Sequence, residues 1–303
     1  MGIFFLYSSK SFILKYIIII VFILYSGIGF TQDVIGTSKQ ILGNYIVGAI
    51  KTSTPDFIKY FDAEYKFSAD NPDNISLTAL SAISESSTSS LFNQTTIVRH
   101  DDNTTVNIGL GYRSLLNNDK AILGLNAFYD REINVTHQRY GIGLEFLTSI
   151  FDLRSNYYEA FSDTKLVENN ETEKALDGWD VRLDYYIPRN MVGNYSLTAF
   201  VEFYDWSESG GDFQVDGYKI GFTSRLYRNF YIETGIDDDG TDDQDFYLVV
   251  NYTFKFGDEE FNIVDNQEAL RFESVRHRMY EKVLRENRIV KVVKGAVKVK
   301  RGN

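Results

Sequence analysis

The sequence predicts an all-β fold: a membrane-spanning, antiparallel, up-and-down barrel of twelve strands. Three observations carry this. Apolar and polar residues alternate with period two over segments of about ten residues, near the 9–11 that a tilted strand needs to cross a bilayer. The polar face of those segments is rich in Gly and in charges of both signs, with few of the Lys that coat soluble surfaces. The links between segments are alternately short and long, which a two-layer sandwich has no reason to do.

Taken in order, residues 1–29 read as a signal peptide. Lys10 and Lys15 precede the apolar run Tyr16–Tyr25, and small residues follow at Gly27 and Gly29. That run is too short for the roughly 20 residues of a spanning helix. Residues 30–56 form a periplasmic segment, and 57–256 the barrel. The twelve strands fall at roughly 57–67, 74–83, 90–99, 104–115, 120–130, 137–148, 150–161, 178–187, 195–205, 214–225, 229–236 and 245–256. The first two have the weakest pattern, and reading "NPDN" (Asn71–Asn74) as a periplasmic turn would leave ten.

The alternation is plainest in "NIGLGYR" (Asn107–Arg113). Val106, Ile108, Leu110 and Tyr112 share one face; Asn107, Gly109, Gly111 and Arg113 share the other. Further polar-face residues are Gly124, Asn126 and Asp130, then Arg139, Gly141, Gly143 and Glu145, then Asp180, Arg182 and Asp184. Apolar rows facing lipid and polar rows facing a filled lumen satisfy both sides, in a closed sheet without a free edge. Tyr and Trp at the ends of the apolar rows suit the interfacial girdle. The links "NNDK", "TSI", "PRNMVGN" and "YRN" belong to one rim; Asp163–Asp177 and "DDDGTDDQ" (Asp237–Gln244) belong to the other.

Charge is unevenly spread. Residues 271–303 hold 11 Lys/Arg and 3 Glu, a net +8, so that the rest of a chain of net charge −11 carries −19. Residues 257–303 are therefore a basic segment with two available placements: threaded through an acid-edged lumen (Asp130, Glu145, Asp180, Asp184, Glu202, Glu233), or solvated in the periplasm as a helix. With no Cys, thiolate chemistry and disulfides are excluded. The three histidines, His100, His137 and His277, are scattered, which gives neither a zinc cluster nor a nucleophile–His pair; the expectation is loop or girdle His, no cofactor and no enzyme. The acidic loop Asp237–Asp245 fails the EF-hand spacing, because Gly235 and Phe246 stand where its first and twelfth ligands belong.

"NIGLGYR", "LGLNAFYD" (Leu123–Asp130), "HQRYGIGLEF" (His137–Phe146) and "GWDVRLDYYIP" (Gly178–Pro188) resemble, in order, the signatures of the inverse autotransporter β-domain, the translocator barrel of intimin and invasin. "LFNQTTIVRHDD" (Leu91–Asp102) resembles the preceding strand, and "VLRENRIV" (Val283–Val290) the segment after the last strand; the likeness covers about 90–295. It implies a twelve-stranded bacterial outer-membrane anchor whose chain turns back after the last strand, threads the lumen and delivers a C-terminal passenger to the cell surface. Arg285, Asn287 and Arg288 would then be lumen-threading residues. The family's immunoglobulin-like repeats and lectin-like tip have no counterpart after Asn303, so adhesion is not carried over; the expectation is either a barrel whose exported part is only the basic tail or one whose passenger has been lost. Expected partners are outer-membrane lipid, periplasmic chaperones and the barrel assembly machinery, for which "YTFKF" (Tyr252–Phe256) resembles the uptake signal. Nucleic acid is not among them, and self-association, if any, would give a homodimer. The alternative function is a passive porin-like channel plugged by the basic tail.

Overall fold

The computed structural model describes residues 57–68, 73–100, 103–167, 171–193, 196–227, 229–240, 244–255 and 270–294. The signal-peptide and N-terminal-segment readings lie outside them. Fifteen strands occur among the described residues, in chain order: β1 (Ile58–Ser68), β2 (Asn74–Glu85), β3 (Ser89–His100), β4 (Asn103–Leu116), β5 (Ala121–Glu132), β6 (Gln138–Thr148), β7 (Phe151–Ala160), β8 (Lys165–Leu166), β9 (Thr172–Ala175), β10 (Asp177–Ile187), β11 (Ser196–Ser207), β12 (Gln214–Tyr227), β13 (Phe230–Asp238), β14 (Asp245–Lys255) and β15 (Lys291–Lys294). Twelve of them close a barrel in the order β1-β14-β13-β12-β11-β10-β7-β6-β5-β4-β3-β2, and β15, β9 and β8 form a separate small sheet. Every neighbour in the barrel is antiparallel, and β1 seals it against β14 from Tyr60↔Lys255 to Ser68↔Tyr247. β1 and β2 thus belong to the barrel, and the ten-strand variant falls.

The wall is inverted relative to a soluble protein. Arg113, Asp130 and Arg139 are fully buried, whereas Ile108, Leu125, Ile142 and Leu144 on the same strands are more than half exposed. A ring of exposed Leu, Ile and Tyr around a polar interior is stable only where hydrocarbon covers the outside. The girdle reading needs one amendment: Trp179 faces out, but Trp206 points inward and is buried against Tyr158 at 5.2 Å between ring centroids.

Cross-strand register explains the glycines. Gly109 sits opposite Phe128 and Gly111 opposite Phe92. A Cβ at Gly109 would lie 2.3 Å from the Phe128 ring, and one at Gly111 2.2 Å from that of Phe92. The inward face is therefore not merely polar: large rings lie across the bare backbone of the neighbouring strand. Gly109→Ala is expected to displace Phe128 and to lower barrel stability by about 1–3 kcal/mol. Urea unfolding followed by Trp fluorescence measures it, and an unchanged midpoint would refute the contact.

The turns beginning at Ser86, Asn117 and Ser149, together with the single helical turn α1 (Arg189–Val192), lie at the rim where β1 begins and β14 ends. The opposite rim carries mostly longer links, including the one between β7 and β10 that holds β8 and β9, although the β3–β4 link there is only two residues. Short turns mark the periplasmic rim of such barrels and long loops the outer one.

Candidate functional site: a lumen threaded by the chain's own tail

Residues 270–294 enter the barrel at the short-turn rim and reach the long-loop rim. At entry, the Val275 amide donates to the Asp119 carbonyl at 2.7 Å. The Arg276 guanidinium pairs with Asp119 at 2.9 Å and also donates to the Ser87 carbonyl. At exit, β15 pairs with β9, Lys291 opposite Ala175 and Lys294 opposite Thr172. Between the two, the tail has one 3₁₀ turn at Arg276–Arg278, a turn at 279–280 and bends at 285 and 288, with no strand before β15. The threaded placement holds, and the solvated helix does not.

A chain with so little regular structure of its own must find partners in the lumen for its amides and carbonyls. The barrel supplies side chains. Arg113 donates to the Met279 and Glu281 carbonyls at 3.1 and 2.6 Å. Gln94 accepts from the Val283 amide at 2.7 Å and donates to its carbonyl at 3.3 Å. Asn156 donates to the Leu284 carbonyl at 3.1 Å, Arg139 to that of Glu286 at 2.7 Å, and Asn107 to that of Asn287 at 3.0 Å. The Tyr158 hydroxyl accepts from the Glu286 amide at 2.7 Å and donates to Asp180 at 2.6 Å.

Three apolar clusters hold the tail at successive heights. Val275 and Met279 pack with Leu115, Ile122 and Leu147; Val283 packs with Tyr60, Leu80, Phe92 and Phe128; Val292 packs with Tyr158, Leu176, Tyr204 and Trp206. Cations alternate with these anchors. Arg278 forms a double hydrogen bond to Asp152, at 2.9 and 2.5 Å, and Lys282 pairs with Asp62 and Glu64 at 2.8 and 2.7 Å. Arg285 makes two 2.7 Å hydrogen bonds to the two oxygens of Asp130. Arg139 reaches the same carboxylate at 2.9 Å and Asn107 at 2.7 Å, so Asp130 is a four-contact hub. The Arg285 guanidinium lies 4.3 Å from the centre of the Phe128 ring. Gly141 makes room for it, since a Cβ there would come within 2.8 Å of Nη2.

Of the eleven polar-face residues predicted to line the lumen, Asn107, Gly109, Gly111, Arg113, Asn126, Asp130, Arg139, Glu145, Asp180 and Asp184 are buried and Arg182 is half-buried. Their roles differ from a plain acid lining for a basic tail. Among the six acids expected to hold the tail, Asp130 alone forms a tail ion pair among the described residues. Glu145 pairs with Arg113 at 2.9 Å, Asp184 with Arg154 at 2.6 Å and Arg182 at 3.0 Å, Glu202 with Lys219 at 2.6 Å, and Glu233 with Arg182 at 2.8 Å. Asp180 accepts from Asn156 and Tyr158. Of these acids Arg285 docks on Asp130. Arg288 pairs with its own neighbour Glu286 at 3.1 Å and contacts His100 at 3.2 Å. Asn287 takes part through its backbone carbonyl.

Sequence reasoning missed Asp62, Gln94, Asp152 and Asn156 as tail-binding residues. Their inward parity was readable; the tail atoms they meet were not. It also misjudged His137, which is buried and not a solvated loop residue. Burial, reinforced by the Lys291 cation, lowers the His137 pKa to about 4, so the ring is neutral at physiological pH. Its Nδ1 lies 2.9 Å from Ser162 Oγ, which also accepts from the Gln138 amide. This Ser–His contact uses the ring nitrogen opposite to the one a hydrolytic triad employs, on a fully buried ring.

A closed twelve-stranded barrel, apolar outside and filled by its own downstream segment, is a bacterial outer-membrane β-barrel built around a threaded chain. Residues 31–287 match the profile of the family described as "Inverse autotransporter, beta-domain". The chain belongs to that family. It is 35% identical over 135 residues, 43% of its length and 45% of the relative's, to an attaching and effacing protein homolog of Escherichia coli (strain K12). It is 26% identical over 208 residues, 66% of its length and 9% of the relative's, to the inverse autotransporter adhesin YeeJ of the same strain. The chain thus spans less than half of each relative. Among solved structures, one from work on in-meso crystallization of membrane proteins superposes with a TM-score of 0.65 at 21% identity, over 78% of this chain and all of that one.

Proposed function

We propose that this barrel anchors its chain in the outer membrane and conducts the segment following β14 through the lumen to the cell surface. The observation that carries the reading is the course of residues 270–294, which run from the short-turn rim to the long-loop rim with their backbone bound by Gln94, Asn107, Arg113, Arg139 and Asn156. Side chains that grip main-chain carbonyls hold a chain with little regard to its sequence, which suits a conduit. The specific pairs, above all Arg285 with Asp130, suit a resting position where transit stops. Lipid would cover the outer rows, and delivery to the membrane would fall to periplasmic chaperones and the barrel assembly machinery. One relative is named an inverse autotransporter adhesin and the other an attaching and effacing protein homolog, and both names support a non-enzymatic role.

An epitope tag placed after Asn303 tests export. In intact cells, added protease is expected to remove the tag while a periplasmic marker stays whole. Protection of the tag until the outer membrane is permeabilised would defeat the reading.

A further inference from the structure

Glu132 ends β5, His137 immediately precedes β6, and Glu173 lies on β9, so three elements converge at the long-loop rim. One donor atom from each lies within 4.8 Å of the other two, and His137 Nε2 is 3.8 Å from a Glu173 oxygen. Glu132 and His137 are almost wholly buried, and Glu132 Oε2 and His137 Nε2 have no hydrogen-bond partner. Into the same cluster the tail inserts Lys291, whose ammonium sits 2.9 Å from Glu132 and 3.0 Å from Glu173. Lys165, opposite Glu173 on β8, adds a positive field without an ion pair among the described residues.

The ammonium leaves the cluster incompletely matched. One cation contacts two carboxylates, and a buried imidazole nitrogen and a buried carboxylate oxygen are left over, each costly in a desolvated site. A divalent metal ion would engage all three side chains at once and balance both carboxylates. Zinc holds N and O donors at about 2.0–2.2 Å, which places two of them about 3.3–3.6 Å apart in a tetrahedron. The observed spacing closes to that by modest rotation of the two Glu side chains. The ring is already oriented, because its other nitrogen is engaged by Ser162, as in metal-bound histidines. Imidazole with carboxylates favours zinc over the oxygen-seeking calcium and magnesium.

We propose that Glu132, His137 and Glu173 form a zinc-type divalent metal site at the outer rim, for which the Lys291 ammonium is an intramolecular competitor. The site becomes available when Lys291 withdraws. The inference stands on the side-chain cluster alone and does not depend on export of the tail.

The full chain folded in detergent micelles, titrated calorimetrically with zinc chloride, tests this. Lys291→Ala removes the competitor and is expected to bind zinc at least tenfold more tightly than the unsubstituted chain. Adding His137→Ala in that background is expected to cost tenfold or more, with calcium and magnesium failing to compete at equal concentration. Lys291→Met, which keeps the apolar stem against its neighbours, repeats the comparison should the Ala variant fail to show the faster unboiled mobility of a folded barrel. Equal zinc affinity with and without His137, or no zinc binding in either Lys291 variant, would overturn the site.

Discussion

Replacing Asp130 by Ala is expected to unfasten the tail from the middle of the lumen. Asp130 is fully buried and answers two guanidinium groups, Arg139 from β6 and Arg285 from the tail. Without it both cations stay in a space closed by Phe128 and Tyr158, with no other acidic ion-pair partner for either among the described residues. Removing one member of a buried pair commonly costs about 3–5 kcal/mol, mostly through the charge left behind. The expected outcome is cleavage within 280–290 by a protease added to purified barrels, at concentrations that leave the unsubstituted tail intact. The thermal transition should fall as well. Arg285→Met in the Asp130→Ala background removes one orphaned charge and should recover part of the loss, since contacting partners are non-additive. Equal protease resistance in Asp130→Ala and the unsubstituted chain would show that the pair does not hold the tail.

How far this arrangement was legible in the sequence depends on the range of the interaction. Strand positions follow from period two, because each strand has both faces occupied by opposite chemistries; β4 and β6 were readable almost residue by residue. β1 and β2 were harder for a physical reason. Their inward faces include Tyr60 and Leu80, which the barrel needs as an apolar seat for Val283, so the alternation is blurred where the tail binds. Phe92, Phe128, Phe200 and Trp206 point inward for the same kind of reason: each fills space beside glycine or the tail, and only register shows which glycine. The charge asymmetry announced a basic tail seeking acids but not which acids. Glu145, Asp184, Glu202 and Glu233 are satisfied by Arg113, Arg154, Arg182 and Lys219 of the barrel wall, most of which lie in one lateral row from Arg113 across Gly124, Glu145, Arg154, Arg182 and Glu202 to Lys219. These four acids and four cations balance one another, whereas Asp62, Glu64, Asp130 and Asp152 also pair with cations of the tail. The pairing of Arg285 with Asp130 spans 155 positions, and no local pattern encodes it.

The same division of charges dictates what the lumen should do once emptied. Ending the chain before Leu270 removes Lys282, which alone pairs with Asp62 and Glu64 among the described residues, and strips Arg278 from Asp152 and Arg285 from Asp130. It also removes Val275, Met279, Val283 and Val292 from the three apolar clusters that close the bore. In planar bilayers the full chain is expected to be nearly silent, because the tail fills the lumen and binds its walls throughout. The shortened chain should conduct steadily. Its current should favour cations, since the uncovered carboxylates outnumber newly freed wall cations, and the preference should weaken as salt screens them. Substituting Asp62 and Glu64 by Asn and Gln in the shortened chain should then reduce the cation preference while leaving the conductance high. A full chain that conducts as strongly as the shortened one would mean that the tail leaves the bore readily in a membrane. The porin-like alternative would then displace the conduit with a seated tail.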